Sequence, residues 1–362
     1  MQNSTPLPIK NNRVLWIDGA KTIGIWLVVL GHMSIAEDII TPIFSFHMAL
    51  FFFISGFLEK HTRMEDSFKN GFRGLLIPYM LFYIVSFFWW FQVSLVRHPE
   101  IYGSVSFDSA IIKPLLGMIF GAGYSTEYST MVNVPLWFLV GLFVVKLVHS
   151  GIVTFCEGNV KKYLLINISI IALVFVLKIA DIDILFSFDS ALLALPFFSV
   201  GYLSQKERFD VVNKLLDKYL KSFLFNGISI IVALSILLIL SEYNGRVDVN
   251  EYSYGKNLLL FYFNGFLGIF IIICLSSFYR KQNKIITAIS NGTIIIVAFH
   301  IYLSEILCKM IGMKGDGIIV NPFVALLVAG LTLVLMVVPI RIIEGYFPIL
   351  IGKKRTKTPF TN

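Results

Sequence analysis

Apolar runs of roughly 18 to 25 residues recur from one end of this chain to the other, and a helix needs about 20 such residues to cross the hydrocarbon core of a bilayer. In lipid every backbone N–H and C=O must find its partner inside the protein, so runs of this kind fold into an all-α, polytopic transmembrane helix bundle. Only 14% of the residues are charged, against roughly 25% in a soluble domain. No polar stretch is long enough to build a separate soluble unit. The sequence therefore predicts a single integral membrane domain over 1–362, with 1–13 as a short segment before the first span and 344–362 as a basic tail.

Ten spans are expected, over 14–35, 42–58, 75–96, 134–155, 163–180, 191–204, 222–241, 258–279, 285–308 and 321–343. The sixth is short. A formal charge of +8 raises the question of nucleic acid, but the basic residues lie mostly in short connections beside the spans. Membrane orientation explains them better, so membrane lipid is an expected partner and nucleic acid is not. Alternate connections, beginning with 1–13, hold 20 Lys and Arg, and the opposite set holds 7. That asymmetry predicts both termini in the cytoplasm. The longest connection, 97–133, then lies outside, and its 121–125 stretch is too polar to span but could re-enter or cover a site.

Cys156, Cys274 and Cys308 are scattered, with no pair at redox or metal-ligand spacing, and are read as packing residues. A cleavage-like Ser34-Ile35-Ala36 follows the first run. That run carries Asp18, Lys21 and His32, unlike the apolar core of a signal peptide, and is read as a retained span.

Those three residues are the most informative in the chain. Charged groups at membrane depth are expensive, so they usually face a protein interior or a wet cavity. Eleven residues advance a helix by about 16.5 Å and return it to within roughly 20° of its starting direction, so Lys21 and His32 share one face. Asp18, three residues before Lys21, joins it. Asp18 and Lys21 fit either a ligand-facing role or a structural ion pair at a helix end.

His47 opens the second span, and the short connection before it sets it at the depth of His32. His300, 15 residues into the ninth span, reaches a similar level, with Glu305 further out to orient it or to face water. Each histidine alone suits hydrogen-bonded packing; together they suit a site. Two or three histidines at one depth also fit zinc, but sequence offers no fourth group, and no metal is expected. Lys146 and His149, one turn apart, read as polar packing between helices. Arg73 opens the third span, where a guanidinium either marks orientation or grips phosphates by bidentate hydrogen bonds.

The Ile17-Asp18-Gly19-Ala20-Lys21 start, the basic residue eleven positions before His32, the Ser45-Phe46-His47-Met48 block through Phe57, and Arg73 through Pro78 together resemble the acyltransferase-3 family of polytopic membrane acyltransferases. Weaker matches are Pro135-Leu136-Trp137-Phe138-Leu139, Leu195-Pro196-Phe197-Phe198 with Gly201-Tyr202, and Asn291-Gly292-Thr293 followed by His300. Lys21 stands where many relatives carry arginine, and Ala49 where a proline often follows His-Met.

The resemblance covers almost the whole chain and implies a multi-pass protein of the bacterial cytoplasmic membrane. It would transfer an acyl group, most often acetyl, from acyl-CoA to a sugar hydroxyl acceptor on a glycan, glycolipid or lipid-linked precursor. Acetyl-CoA or another acyl-CoA is then the co-substrate. Lys21 and Arg73 are its expected binding residues, His32 and His47 the catalytic pair, and Asp18 and His300 their support. His32 would act as general base or, alternatively, as a nucleophile carrying the acyl group. The residues by themselves leave a transporter open, with the same buried groups passing a proton or substrate, although the halves show no repeat symmetry. Oligomeric state is not legible in the sequence.

Overall fold

The structure, a computed structural model, describes residues 14–60, 63–92, 108–121, 127–180, 184, 186–205, 210–212, 214, 223–313 and 319–353. Its helices are α1 (Leu15–Gly31), α2 (Glu37–Phe44), α3 (His47–Phe57), α4 (Met64–Gly71), α5 (Ile77–Phe91), α6 (Lys113–Phe120), α7 (Trp137–Cys156), α8 (Val160–Ile179), α9 (Phe188–Leu203), α10 (Phe223–Asn244), α11 (Leu258–Ser276), α12 (Lys284–Asn291), α13 (Thr293–Met310) and α14 (Pro322–Tyr346). Among the described residues, eight helical stretches are long and apolar enough to cross a membrane, and α9 is a shorter apolar helix. At 17 residues, α1 spans about 25 Å. The chain is a multi-pass, all-α membrane protein, as its apolar runs predict.

Local chemistry sets many of the boundaries. Asn159, Asn257, Asn283 and Asn321 each cap a helix, their side-chain oxygens accepting first-turn N–H groups that would otherwise lack partners. α4 runs into α5 through a π-helical turn, Phe72–Leu76, so Arg73 sits inside a continuous helix and not at its start. The expected ninth span is two helices, because the chain breaks at Gly292, where a Cβ would lie 2.4 Å from Ile340 side-chain carbons.

Packing ranks the spans. In the 37–57 stretch 78% of the apolar window is buried, against 17% in α8, so the former is the hub and the latter faces lipid. α3 crosses α9 with backbones nearly touching: a Cβ on Gly56 would meet the Phe198 carbonyl oxygen at 2.0 Å, and one on Gly201 the Phe53 oxygen at 2.1 Å. Small residues permit such approach where no water-driven force pulls helices together.

One end of the bundle gathers the start of α1, where Trp16 meets Phe57 with centroids 5.1 Å apart, and the Lys146–Glu59 ion pair. His149 is buried against Phe198 and Tyr202, the interhelical packing expected of that pair. All three cysteines are free, Cys156 and Cys274 buried and Cys308 partly so. Within the long 97–133 connection, α6 docks on α5 by Tyr79 Oη–H donating to the Met118 carbonyl at 2.8 Å and Tyr83 Oη–H to that of Pro114 at 2.7 Å. Residues 122–125 of the predicted covering stretch lie outside the described residues, as do the 1–13 segment and the 354–362 part of the tail.

Candidate functional site

α1 stops at Gly31, and His32 follows as its cap, its N–H donating to Val28 and Val29 carbonyls at 3.2 and 3.3 Å. The side chain turns into a cavity of about 610 Å³, within the roughly 300–1,000 Å³ of small-molecule sites. Neither ring nitrogen of His32 has a hydrogen-bond partner among the described residues. The close passage of α2 requires Gly31, since a Cβ there would lie 2.9 Å from the Phe44 ring.

His47 owes its place to the break between α2 and α3. Side chains fasten the carbonyls at that break: Ser45 Oγ–H donates to Pro42 at 2.7 Å, and His47 Nδ1 lies 2.9 Å from the Ile43 oxygen, which also accepts from Phe46 N–H at 3.3 Å. A carbonyl only accepts, so Nδ1 carries the proton and the Nε2 lone pair is left over. His47 is buried yet lines the cavity, and Nε2 has no partner among the described residues. Phe44 sits between the two histidines, 6.1 Å from His32 and 4.7 Å from His47 by ring centroids.

His300 completes the group from α13. Its ring centroid is 5.2 Å from that of His32. Nδ1–H donates to the Ile296 and Val297 carbonyls at 2.8 and 3.1 Å, and the buried Nε2 has no partner among the described residues. Asn133 anchors this helix through Nδ2–H to the Ala298 carbonyl at 2.8 Å. Glu305 pairs with Lys309 in an exposed position, the water-facing one of the two roles open to it.

The remaining expected residues lie elsewhere. Asp18 is buried and accepts from Ser290 Oγ–H at 2.7 Å, Lys21 is half-buried, and Arg73 is half-buried in the π-helical turn. None of these three lines the histidine cavity, whose α1 lining begins at Val28. Between Val28 and Lys21 the helix touches α3 at Gly24, where a Cβ would meet Leu50 at 2.8 Å. Among the described residues, no group of three or more His, Cys, Asp or Glu is placed to hold a metal ion.

Sequence reasoning missed the polar part of the cavity lining. Residues 245–257, joining α10 to α11, fold over the mouth and contribute Arg246, Asp248, Asn250 and Glu251, with Glu37 opposite. Arg246 pairs with Glu37 at 2.9 Å and lies 3.8 Å from the Phe44 ring centroid. Burial pushes the Asp248 carboxyl up to about 6; Glu251 adds to the rise and Arg246 opposes it. The signal was present as a dense polar run in an apolar chain, but it served only the counting of charges between spans.

The acyltransferase-3 family model, an acyltransferase domain, matches residues 14–341. The chain belongs to that family. The match spans every helix that builds the histidine cavity. No curated protein matches the chain, and no solved structure does.

Proposed function

We propose that this acyltransferase-3 protein moves an acyl group, acetyl in the simplest case, from acyl-CoA to a sugar hydroxyl of a surface glycan, glycolipid or lipid-linked precursor, at the cytoplasmic membrane of a bacterium. The observation that carries this reading is the convergence of His32 and His47 on one cavity, with ring nitrogens left over after the fold's own hydrogen bonds are made. Family membership supports the reaction class.

In the reaction, His32 takes the proton of the acceptor hydroxyl as its oxygen attacks the thioester carbonyl. A C–O bond forms, the C–S bond breaks, and the proton returns to the departing thiolate as free CoA. An imidazole suits this role because its ordinary titration range lies near neutrality. His47, whose Nδ1–H stays on the Ile43 carbonyl, would take up a second proton at Nε2 from the medium and donate it as a hydrogen bond to the developing oxyanion, and His300, behind His32, would hold its ring in place. A route through an acyl-His32 intermediate uses the same atoms in two steps.

The basic count between spans supports a cytoplasmic start of α1, which would set Lys21 and Arg73 toward the compartment where CoA is made. Their cationic groups suit its phosphates. Because α1 and α3 touch at Gly24 and Leu50, an acyl arm running along that face from Lys21 would have to part the two helices there to reach His32. Mass spectrometry of surface glycans from cells with the wild-type chain, with His32→Ala and without the protein tests the reading. An acyl increment present only with the wild type is expected; an unchanged increment with folded His32→Ala overturns it.

A further inference from the structure

We infer that Asp248, Asn250 and Glu251, with Glu37 and Arg246 at the rim, form the acceptor subsite of the histidine cavity and select an uncharged or amino-bearing sugar over an acidic one. The inference rests on the acyl-transfer reading and adds to it the substrate class and the residues that read it.

The charge at the mouth is lopsided. Three carboxylates, Glu37, Asp248 and Glu251, line it against one guanidinium, and that guanidinium already pairs with Glu37 and lies against Phe44. What remains for a ligand is hydrogen-bond acceptance by Asp248 and Glu251. Sugar hydroxyls and ammonium groups are donors and fit such acceptors through strong, charge-assisted bonds. A uronic acid would bring a like charge to a half-buried carboxylate, and the phosphates of CoA would meet the same repulsion. The mouth therefore suits the acceptor and not the donor.

The opposite wall is aromatic, with Phe51, Trp137 and Phe138 lining the cavity as apolar faces for the C–H side of a sugar ring. Between wall and collar, buried His47 presents Nε2 to the cavity, where a reacting hydroxyl would lie. The collar is also held in shape before any ligand arrives. Asn244 Nδ2–H donates to the Tyr254 carbonyl and Asn244 Oδ1 accepts from Asn257 N–H, both at 2.8 Å. Asp248 and Ser253 exchange backbone bonds at 3.0 and 2.9 Å, and Tyr252 Oη–H donates to the Val174 carbonyl at 2.6 Å. Such pre-organisation lowers the ordering cost of binding.

The test is saturation-transfer NMR on the full chain in lipid nanodiscs, titrating the p-nitrophenyl β-D-glucoside, β-D-glucosaminide and β-D-glucuronide. The glucoside and glucosaminide are expected to bind, and the glucuronide at least about tenfold more weakly. Asp248→Asn with Glu251→Gln should raise the glucoside Kd by about tenfold or more and nearly erase discrimination against the glucuronide, while the Kd for CoA stays the same. Should that pair of changes prevent folding, Glu251→Gln alone, at an exposed position, carries the test with the same signs. Equal binding of all three glycosides, binding of none, or a glucoside Kd indifferent to the substitutions overturns the inference. Glycan acylation that depends on His32 is measured separately, so a collar that fails to bind while acylation persists sinks this inference alone. Loss of acylation chemistry with intact glycoside selectivity sinks the transfer reading alone.

Discussion

The two ends of α1 carry polar groups that the fold treats in opposite ways. At the Asp18 end the carboxylate accepts from Ser290, the Thr22 hydroxyl lies 3.4 Å from the Ile286 carbonyl, and α12 packs along the helix. At the His32 end, 14 residues later, the helix stops, the ring nitrogens have no hydrogen-bond partner among the described residues, and a cavity of about 610 Å³ opens. A buried polar group is stable only when its hydrogen bonds are made, so the Asp18 end behaves as structure. Groups left over beside a cavity are what a substrate can use, and they sit at the His32 end.

His32→Ala is the sharpest way to break this comparison. It should lower kcat for transfer from acetyl-CoA by roughly 10² to 10⁴ without lowering the melting temperature, whereas Lys21→Ala should act mainly on the KM for acetyl-CoA. A large kcat loss from Lys21→Ala with normal turnover by His32→Ala would reverse the roles of the two ends. Next in size, Ser290→Ala removes a donor from a buried carboxylate and should cost about 1–3 kcal/mol in a thermal unfolding series, a purely structural penalty.

Asp248→Asn should do the reverse at the open end. The native carboxyl is raised from 3.8 to about 6, so its favourable contribution is full below about pH 4 and is lost as pH climbs through about 6. The amide avoids that loss. The variant is expected to be more stable than wild type by about 1–2 kcal/mol at pH 7.5, after allowance for solvent screening, with the gain fading toward pH 4. Glycoside affinity should fall in the same variant, and melting curves at several pH values together with the binding titration check both signs. A stabilising change that weakens binding is the mark of a residue kept for function. The smallest effect is expected from Arg246→Ala. Its pair with Glu37 is well exposed, 39% and 74% for the two side chains, and should contribute no more than about 1 kcal/mol to stability, with the larger consequence in the placement of Phe44 between the histidines.

Much of this was legible in the sequence, for reasons that are local. Span positions follow from apolar runs, whose length and hydropathy are written residue by residue. That His32 and His47 line one cavity, with Phe44 between their rings, follows from the short connection that joins them. The break at Gly292 and the π-helical turn around Arg73 were hidden, because both lie inside runs whose apolar character is continuous. The collar at 245–257 was hidden for a different reason: its residues are polar in a place where polarity is ordinary, and only their folding back over α1 and α2 gives them a task.

The sequence by itself determined that the chain is a helical membrane protein with a lysine and histidines in and beside its apolar runs, since hydropathy acts within a single segment. Tertiary structure alone decided that space opens at His32, that α1 packs on α3 at Gly24, that His300 from a distant span stands beside the His32 ring, and that a carboxylate collar lines the mouth. Cavities and their linings arise where helices far apart in the chain fail to fill the volume between them, and no local pattern records that.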